Sequence, residues 1–208
     1  QIVELAPYIN YLKIIGGEPL VMKKHYELLD MLIESGEAIN IQLKYQTNAT
    51  VTKAGKHNIF KYLPYFKTVL MTVSVDGVGK YNDYIRRRSD WKTIVKNIKK
   101  FTEYQNVIIE LNSVVTFFSV LHLYKLPQSA IGKFTQHWWR IDRPSQMKAN
   151  NLPQDIKDRL IPIYEKIPHM KEIATLLKMP TEPDFDPVEL YKYCMDMDKS
   201  YEGTKWEM

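Results

Sequence analysis

Tyr11-Leu12-Lys13-Ile14-Ile15-Gly16-Gly17-Glu18-Pro19 runs from a strand-like apolar stretch into a glycine turn and on to a proline placed to open a helix. Two adjacent glycines let the backbone turn sharply and come close to a ligand with its N–H and C=O groups exposed. Proline at a first helical position gives up no hydrogen bond, because that N–H has no partner within the helix. A strand that ends this way and feeds a helix opens a strand-helix-strand unit, the repeating element of parallel sheets.

The chain continues in the same alternation. Glu27-Leu28-Leu29-Asp30-Met31-Leu32-Ile33 reads as the helix, with Gly36 placed to end it. Ile39, Ile41, Leu43 and Tyr45 alternate with polar partners over residues 39–45, a strand that runs out in Thr47-Asn48, and Val69, Met71, Val73 and Val75 repeat the period over 69–75. Ser89-Asp90 offers a cap for a helix in which Trp91, Ile94, Val95, Ile98 and Phe101 share one face and lysines the other. Residues 107–115 and 134–141 read as the fourth and fifth strands, with a helix near 120–126 between them, and the first residues run almost at once into the first strand. Five strands with helical crossovers predict an α/β fold, either most of a (β/α) barrel or an open parallel sheet. From Pro144 onward, prolines at 153, 162, 168, 180, 183 and 187 punctuate short helical stretches, including residues 188–197. The expected domains are a partial barrel over 1–143 and a mainly helical extension over 144–208.

The composition excludes several classes. At 208 residues, 45% hydrophobic and 25% charged, the chain suits a soluble globular protein with a substantial core. Its net charge of +5 is modest and does not by itself imply nucleic acid. A single cysteine, Cys194, cannot form an internal disulfide, so the chain is expected to be cytoplasmic and Cys194 a small half-buried residue. No stretch approaches the ~18 apolar residues of a membrane span. The five histidines are dispersed, and Asp184, Asp186, Asp196 and Asp198 lack calcium-loop spacing, so no metal site is expected.

Ligand sites of parallel barrels lie at the C-terminal ends of the strands. Here those ends carry Gly16-Gly17-Glu18, Thr47-Asn48, Ser74 with Asp76, Asn112 with Thr116, and Arg140 with Asp142. Ser74-Val75-Asp76-Gly77, followed by Asn82-Asp83-Tyr84-Ile85-Arg86, forms a second signature at a strand end. Together with the glycine turn it resembles the radical S-adenosylmethionine enzymes. The resemblance covers most of residues 12–116 and implies a partial barrel, of which this chain looks like units two to six, with the first unit missing from its N-terminal side. It also implies that Gly16, Gly17 and Glu18 line the methionine ammonium and that Ser74, Asp76 and Arg86 serve the ribose and carboxylate. Asn48 lies in a Thr47-Asn48-Ala49 segment where the family has threonine-asparagine-glycine, and Val115 stands where the adenine would lie. A zwitterionic ligand with a cationic sulfur calls for acceptors at its ammonium and a guanidinium at its carboxylate.

The family holds a 4Fe-4S cluster with three cysteines, spaced by three and then two residues, ahead of the glycine-glycine-glutamate turn. One cysteine cannot do this, so no cluster is expected in this chain, and the chain alone is expected to be inactive. Residues 134–140, 151–153 and 198–204 are similar to members with a shortened, twitch-type extension, whose auxiliary cluster a lone Cys194 could not hold. Trp138, Arg140 and Asp142 are the candidate substrate residues, the substrate itself being unreadable. An exposed sheet edge left by a missing first strand is expected to favour self-association. Two rivals stand beside this reading. Lys96, Lys99, Lys100, Arg86 to Arg88, Trp138 and Trp139 could form a basic, stacking surface for single-stranded nucleic acid, although one tryptophan of the pair is expected in the core. Alternatively, the chain is a degenerate barrel kept as a scaffold.

Overall fold

The structure is a computed structural model that describes residues 2–129, 131–132 and 134–199. In chain order its regular elements are α1 (Ile2–Leu5), β1 (Tyr11–Ile14), α2 (Lys23–Glu34), β2 (Gln42–Thr47), the short β3 (Lys53–Ala54) and β4 (His57–Asn58), and β5 (Thr68–Ser74). There follow α3 (Lys80–Ile85), α4 (Trp91–Phe101), β6 (Val107–Val115), β7 (Thr135–Arg140), α5 (Gln154–Glu165), α6 (Lys171–Leu177) and α7 (Pro187–Lys199). A five-stranded parallel sheet has the order β1-β2-β5-β6-β7, and β3 and β4 form a separate antiparallel ribbon. A parallel sheet in sequence order with helical crossovers and flanking helices fits a partial α/β barrel, followed by a helical C-terminal portion.

The chain divides into two compact units. The first comprises Gln1–Ser74, Lys92–Leu111 and Ile131–Thr135, and the second Val75–Trp91, Asn112–Ala130 and Gln136–Met208. In the first unit, β1 is in register with β2 (Lys13 opposite Lys44) and β2 with β5 (Tyr45 opposite Met71, Thr47 opposite Val73). Alternate residues of these strands, Leu43, Tyr45, Val69, Met71 and Val73, are fully buried, as are Leu29 and Leu32 of α2 and Ile94, Ile98 and Phe101 of α4. This is the expected period-two and period-3.6 patterning at work. Gly36, with φ +79°, follows the last turn of α2 and donates its N–H to the Ile33 carbonyl, the glycine stop anticipated there. In the second unit a core of Val75, Val115, Val120, Leu123, Leu126, Tyr164, Ile173 and Leu177 is buried. A smaller cluster of Phe118, Met147 and Leu190 packs with Phe185 and Cys194.

Four local expectations are corrected. The chain does not run at once into a strand, because α1 and a 3-10 turn at Ala6–Tyr8 precede β1. The second strand begins at Gln42, not Ile39, since Ala38–Asn40 forms a 3-10 turn closed by the Ile41 N–H on the Ala38 carbonyl, which leaves Ile39 69% exposed. The segment near 120–126 is a pair of 3-10 turns, Ser119–Leu121 and Leu123–Gln128, with Pro127 inside the second. Proline lacks the N–H that a continuing helix needs. Neither tryptophan of the 138–139 pair is core: Trp138 is half-buried and Trp139 is 64% exposed, each with its indole N–H donated, to the His169 carbonyl and to Asn112 Oδ1.

Candidate functional site

The turn after β1 is built on one left-handed glycine. Gly16 has φ +141°, a region L-residues rarely enter, whereas Gly17 needs no such freedom, and a methyl at either position would meet nothing within 4 Å. Open space flanks both. Glu18 then caps the 3-10 turn Pro19–Val21, its Oε1 accepting from the Leu20 N–H at 3.3 Å, while α2 itself starts only at Lys23. The same Oε1 accepts from Thr47 Oγ1 at 2.7 Å, and Oε2 accepts from the Asn48 N–H at 2.8 Å. Glu18 thus braces the end of β1 to the end of β2, with acceptor capacity left mainly on Oε2. The Asn48 side chain folds back on its own loop, Oδ1 accepting from both the N–H and the hydroxyl of Thr50. Between them Ala49 sits at φ +55°, and Asn97 Nδ2 donates to its carbonyl at 2.8 Å. That left-handed position is the one where the family pattern has glycine, which explains in backbone terms why glycine suits it. Ser74 ends β5 buried, its hydroxyl making no hydrogen bond among the described residues.

The second signature is a closed network within the second unit. Asp76, 5% exposed, accepts from Arg86 Nη1 at 2.7 Å on Oδ2 and from the Val114 N–H at 2.7 Å on Oδ1, and its own N–H donates to Oδ1 of the fully buried Asn82 at 3.0 Å. Asn82 Nδ2 donates to Ser89 Oγ, which donates to Asp83. Burial pushes the Asp83 carboxyl up, against the opposing pull of the Ser89 hydrogen bond. Gly77 is tight: a methyl there would lie 3.2 Å from the Asn82 backbone nitrogen.

Val115 lines a cavity of about 190 Å³ with Arg140, Lys148, Asn150 and Glu182. Arg140 also borders an open groove of about 550 Å³ shared by Trp138, Trp139, Asp142 and, from α6, Glu172. The three candidate substrate residues therefore meet in one groove, where Arg140 Nε lies 3.5 Å from Asp142 Oδ1. Burial pushes the Cys194 thiol up, with the charge of Asp198 adding to the shift.

Sequence reasoning passed over two clusters in the first unit. Lys44, Thr72 and Glu110 meet through a 2.8 Å ion pair and a 2.8 Å hydroxyl bond. His25 and Tyr45 share a 2.6 Å hydrogen bond, and burial, helped by the His57 charge, lowers His25 to about 4. A signal existed for the first cluster. Parallel strands covered by apolar layers on both faces read as unbroken apolar runs, so Lys13, Lys44 and Glu110 inside strands mark a polar face.

Residues 1–123 match the family model of the Radical SAM superfamily. The chain belongs to that superfamily, whose chemistry is the cleavage of S-adenosylmethionine at an iron-sulfur cluster. No curated protein matches the chain. The residues present do not fit a 4Fe-4S cluster: the chain has one cysteine, and no group of three or more His, Cys, Asp or Glu able to hold a metal occurs among the described residues. In the first unit, open space over Gly16 and Gly17 and a Ser74 hydroxyl without a hydrogen bond among the described residues are compatible with a bound S-adenosylmethionine; in the second unit, taken by itself, the buried Asp76 carboxylate holds Arg86. None of the described helices is long and apolar enough to cross a membrane.

Proposed function

We propose that this chain is the S-adenosylmethionine-holding part of a radical enzyme that takes hydrogen from a substrate. The observation that carries the reading is the turn after β1, where the family's glycine-glycine-glutamate sequence is braced open by Glu18 with free space over both glycines. Backbone groups of Gly16 and Gly17 and the remaining acceptor of Glu18 receive the ammonium, with Asn48 holding the loop beside them. The Ser74 hydroxyl serves the ribose. Arg86, oriented by Asp76, receives the carboxylate, and Val115 gives the adenine an apolar wall. When bound and reductively cleaved, S-adenosylmethionine supplies a hydrogen-abstracting radical. Trp138, Arg140 and Asp142 contact the substrate.

With one cysteine in 208 residues, the chain is read as inactive on its own, the cluster ligands coming from outside these residues. Residues 1–143 act as the barrel part, and residues 144–208, with α5 to α7, as a twitch-like extension; the end of that motif, 200–204, lies outside the described residues. β1 ends the strand order and carries half-exposed Tyr11, so self-association through this edge is a corollary. A monomer in light scattering at high concentration would count against it.

The test is equilibrium dialysis of S-adenosylmethionine against the chain and its Glu18→Ala and Arg86→Met variants, with iron and sulfide content measured after anaerobic reconstitution. Binding weakened at least about tenfold in each variant, without stoichiometric iron, is expected. Binding that ignores both substitutions overturns the site, and one cluster per chain overturns the reading of an inactive fragment.

A further inference from the structure

The sheet of the first unit has two unlike faces. On one, Leu43, Tyr45, Val69, Met71 and Val73 are fully buried. The other carries Lys13 and Lys44 in direct register on adjacent parallel strands, about 4.8 Å apart by strand spacing. Thr72 and Glu110 share that face, since both reach the Lys44 position: Lys44 Nζ and Thr72 Oγ1 each donate at 2.8 Å to Glu110 Oε2.

This arrangement is poor as a stabilising device. Side chains of Lys44 and Glu110 keep only 24% and 15% of their exposure, so both charges are largely stripped of water, and a desolvated pair adds little to stability against apolar residues of like size. Lys13 directly beside Lys44 sets two like charges on neighbouring strands, which is unfavourable. Glu110 offsets one of them. Lys13 makes no ion pair or hydrogen bond among the described residues, and two of the three Lys44 ammonium protons are not used there. Thr72 and Glu110 fix Lys44 in place, while Lys13 beside it supplies a second, adaptable donor.

We infer that this face is an anion site: Lys13 and Lys44 together grip a carboxylate or phosphate group of a small-molecule ligand, with Glu110 and Thr72 positioning Lys44. Two lysines in register on neighbouring strands, one held by Glu110 and one exposed, supply donors for the two or three acceptor oxygens of such a group. The opposite face is filled by apolar side chains, whereas this face is polar and reaches solvent at the exposed Lys13. The site stands independently of S-adenosylmethionine binding, and calling the anion a substrate is the only part that rests on the proposed function.

The experiment is calorimetric titration of the full chain at low salt with two probes, succinate and inorganic pyrophosphate, repeated with Lys13→Met, Lys44→Met and Thr72→Val. Binding of one probe by the native chain, weakened about tenfold or more by either lysine substitution and less by Thr72→Val, is expected. Which probe binds tells a carboxylate from a phosphate ligand. Binding of neither probe, or binding indifferent to both lysines, overturns the site. Circular dichroism on each variant separates lost binding from lost fold, and Lys13→Arg, which keeps the charge on an exposed residue, is expected to restore binding. S-adenosylmethionine titrated into the same samples reads the other proposal separately: a native chain that binds the probe but not S-adenosylmethionine leaves the anion site standing.

Discussion

Oε2 of Glu18 accepts a hydrogen bond from the backbone N–H of Asn48 at 2.8 Å, across 30 residues of sequence. The glutamate of the signature turn is therefore a structural tie between two strand ends as well as a ligand candidate. Glu18→Ala leaves the Asn48 N–H and the Thr47 hydroxyl without their acceptor, so a loss of about 2–3 kcal/mol is expected in urea unfolding. Unchanged stability would mean the tie is not formed in solution.

The two glycines of the turn should separate in a stability assay. Gly16→Ala forces an L-residue to φ +141° and is expected to cost on the order of 1–3 kcal/mol, purely through backbone strain, since no atom lies within 4 Å of the added methyl. Gly17→Ala meets neither strain nor a neighbour and should stay within about 0.5 kcal/mol of the native chain. If Gly17→Ala nonetheless abolishes S-adenosylmethionine binding, the methyl occupies space the ligand needs. Equal destabilisation by both would contradict the backbone account.

Arg88 is exposed at φ +63°, just after the Asp76-Arg86 network. Replacing it with glycine relieves a left-handed non-glycine residue and should raise stability by about 1 kcal/mol, read as a higher midpoint of thermal unfolding. A lower midpoint would show that the Arg88 side chain makes a contribution larger than its strain.

Acid should weaken the fold through His25. In the native chain burial, then the His57 charge, lowers this histidine from 6.5 to about 4, and its Nδ1 is buried without a partner among the described residues while Nε2 faces the Tyr45 hydroxyl. Between those two values the unfolded chain binds the proton and the folded chain does not. Stability from this source is therefore complete above about pH 6.5 and is lost as pH falls toward about 4, by up to roughly 3 kcal/mol. His122, lowered to about 4 by burial and then by Lys125, acts in the same window and direction. Chemical denaturation across this range should show the slope, and His25→Gln should flatten it; an equally steep profile in the variant would assign the slope elsewhere.

Much of the fold could be read from residue order because its determinants are local. Leu43 and Tyr45 announce a buried strand face, Gly36 a helix end, and Ile94, Ile98 and Phe101 a helix stripe, each through neighbours within one turn or one strand. Ile39 misled because its apolar side chain continues the strand alternation although the 3-10 turn at 38–40 takes it out of the strand. The hairpin of β3 and β4, two residues per strand, is too short for any period to appear. The site divided the same way. Gly16, Glu18, Ser74 and Asp76 are marked as candidates by their place at strand ends and by the family resemblance, whereas Lys44 and Glu110 lie 66 residues apart and meet only once the sheet has formed.

The ties made by Glu18 and Asp76 bear on how such a chain changes over time. Each carboxylate ties a loop end in place through at least two hydrogen bonds. Selection for a folded chain alone would keep both, even in a descendant that had given up chemistry. Drift in a retired copy should therefore strike first at side chains that make no hydrogen bond or ion pair among the described residues, such as Ser74 and Lys13, so the wear pattern among relatives would date the loss of activity better than survival of the glycine-glycine-glutamate signature.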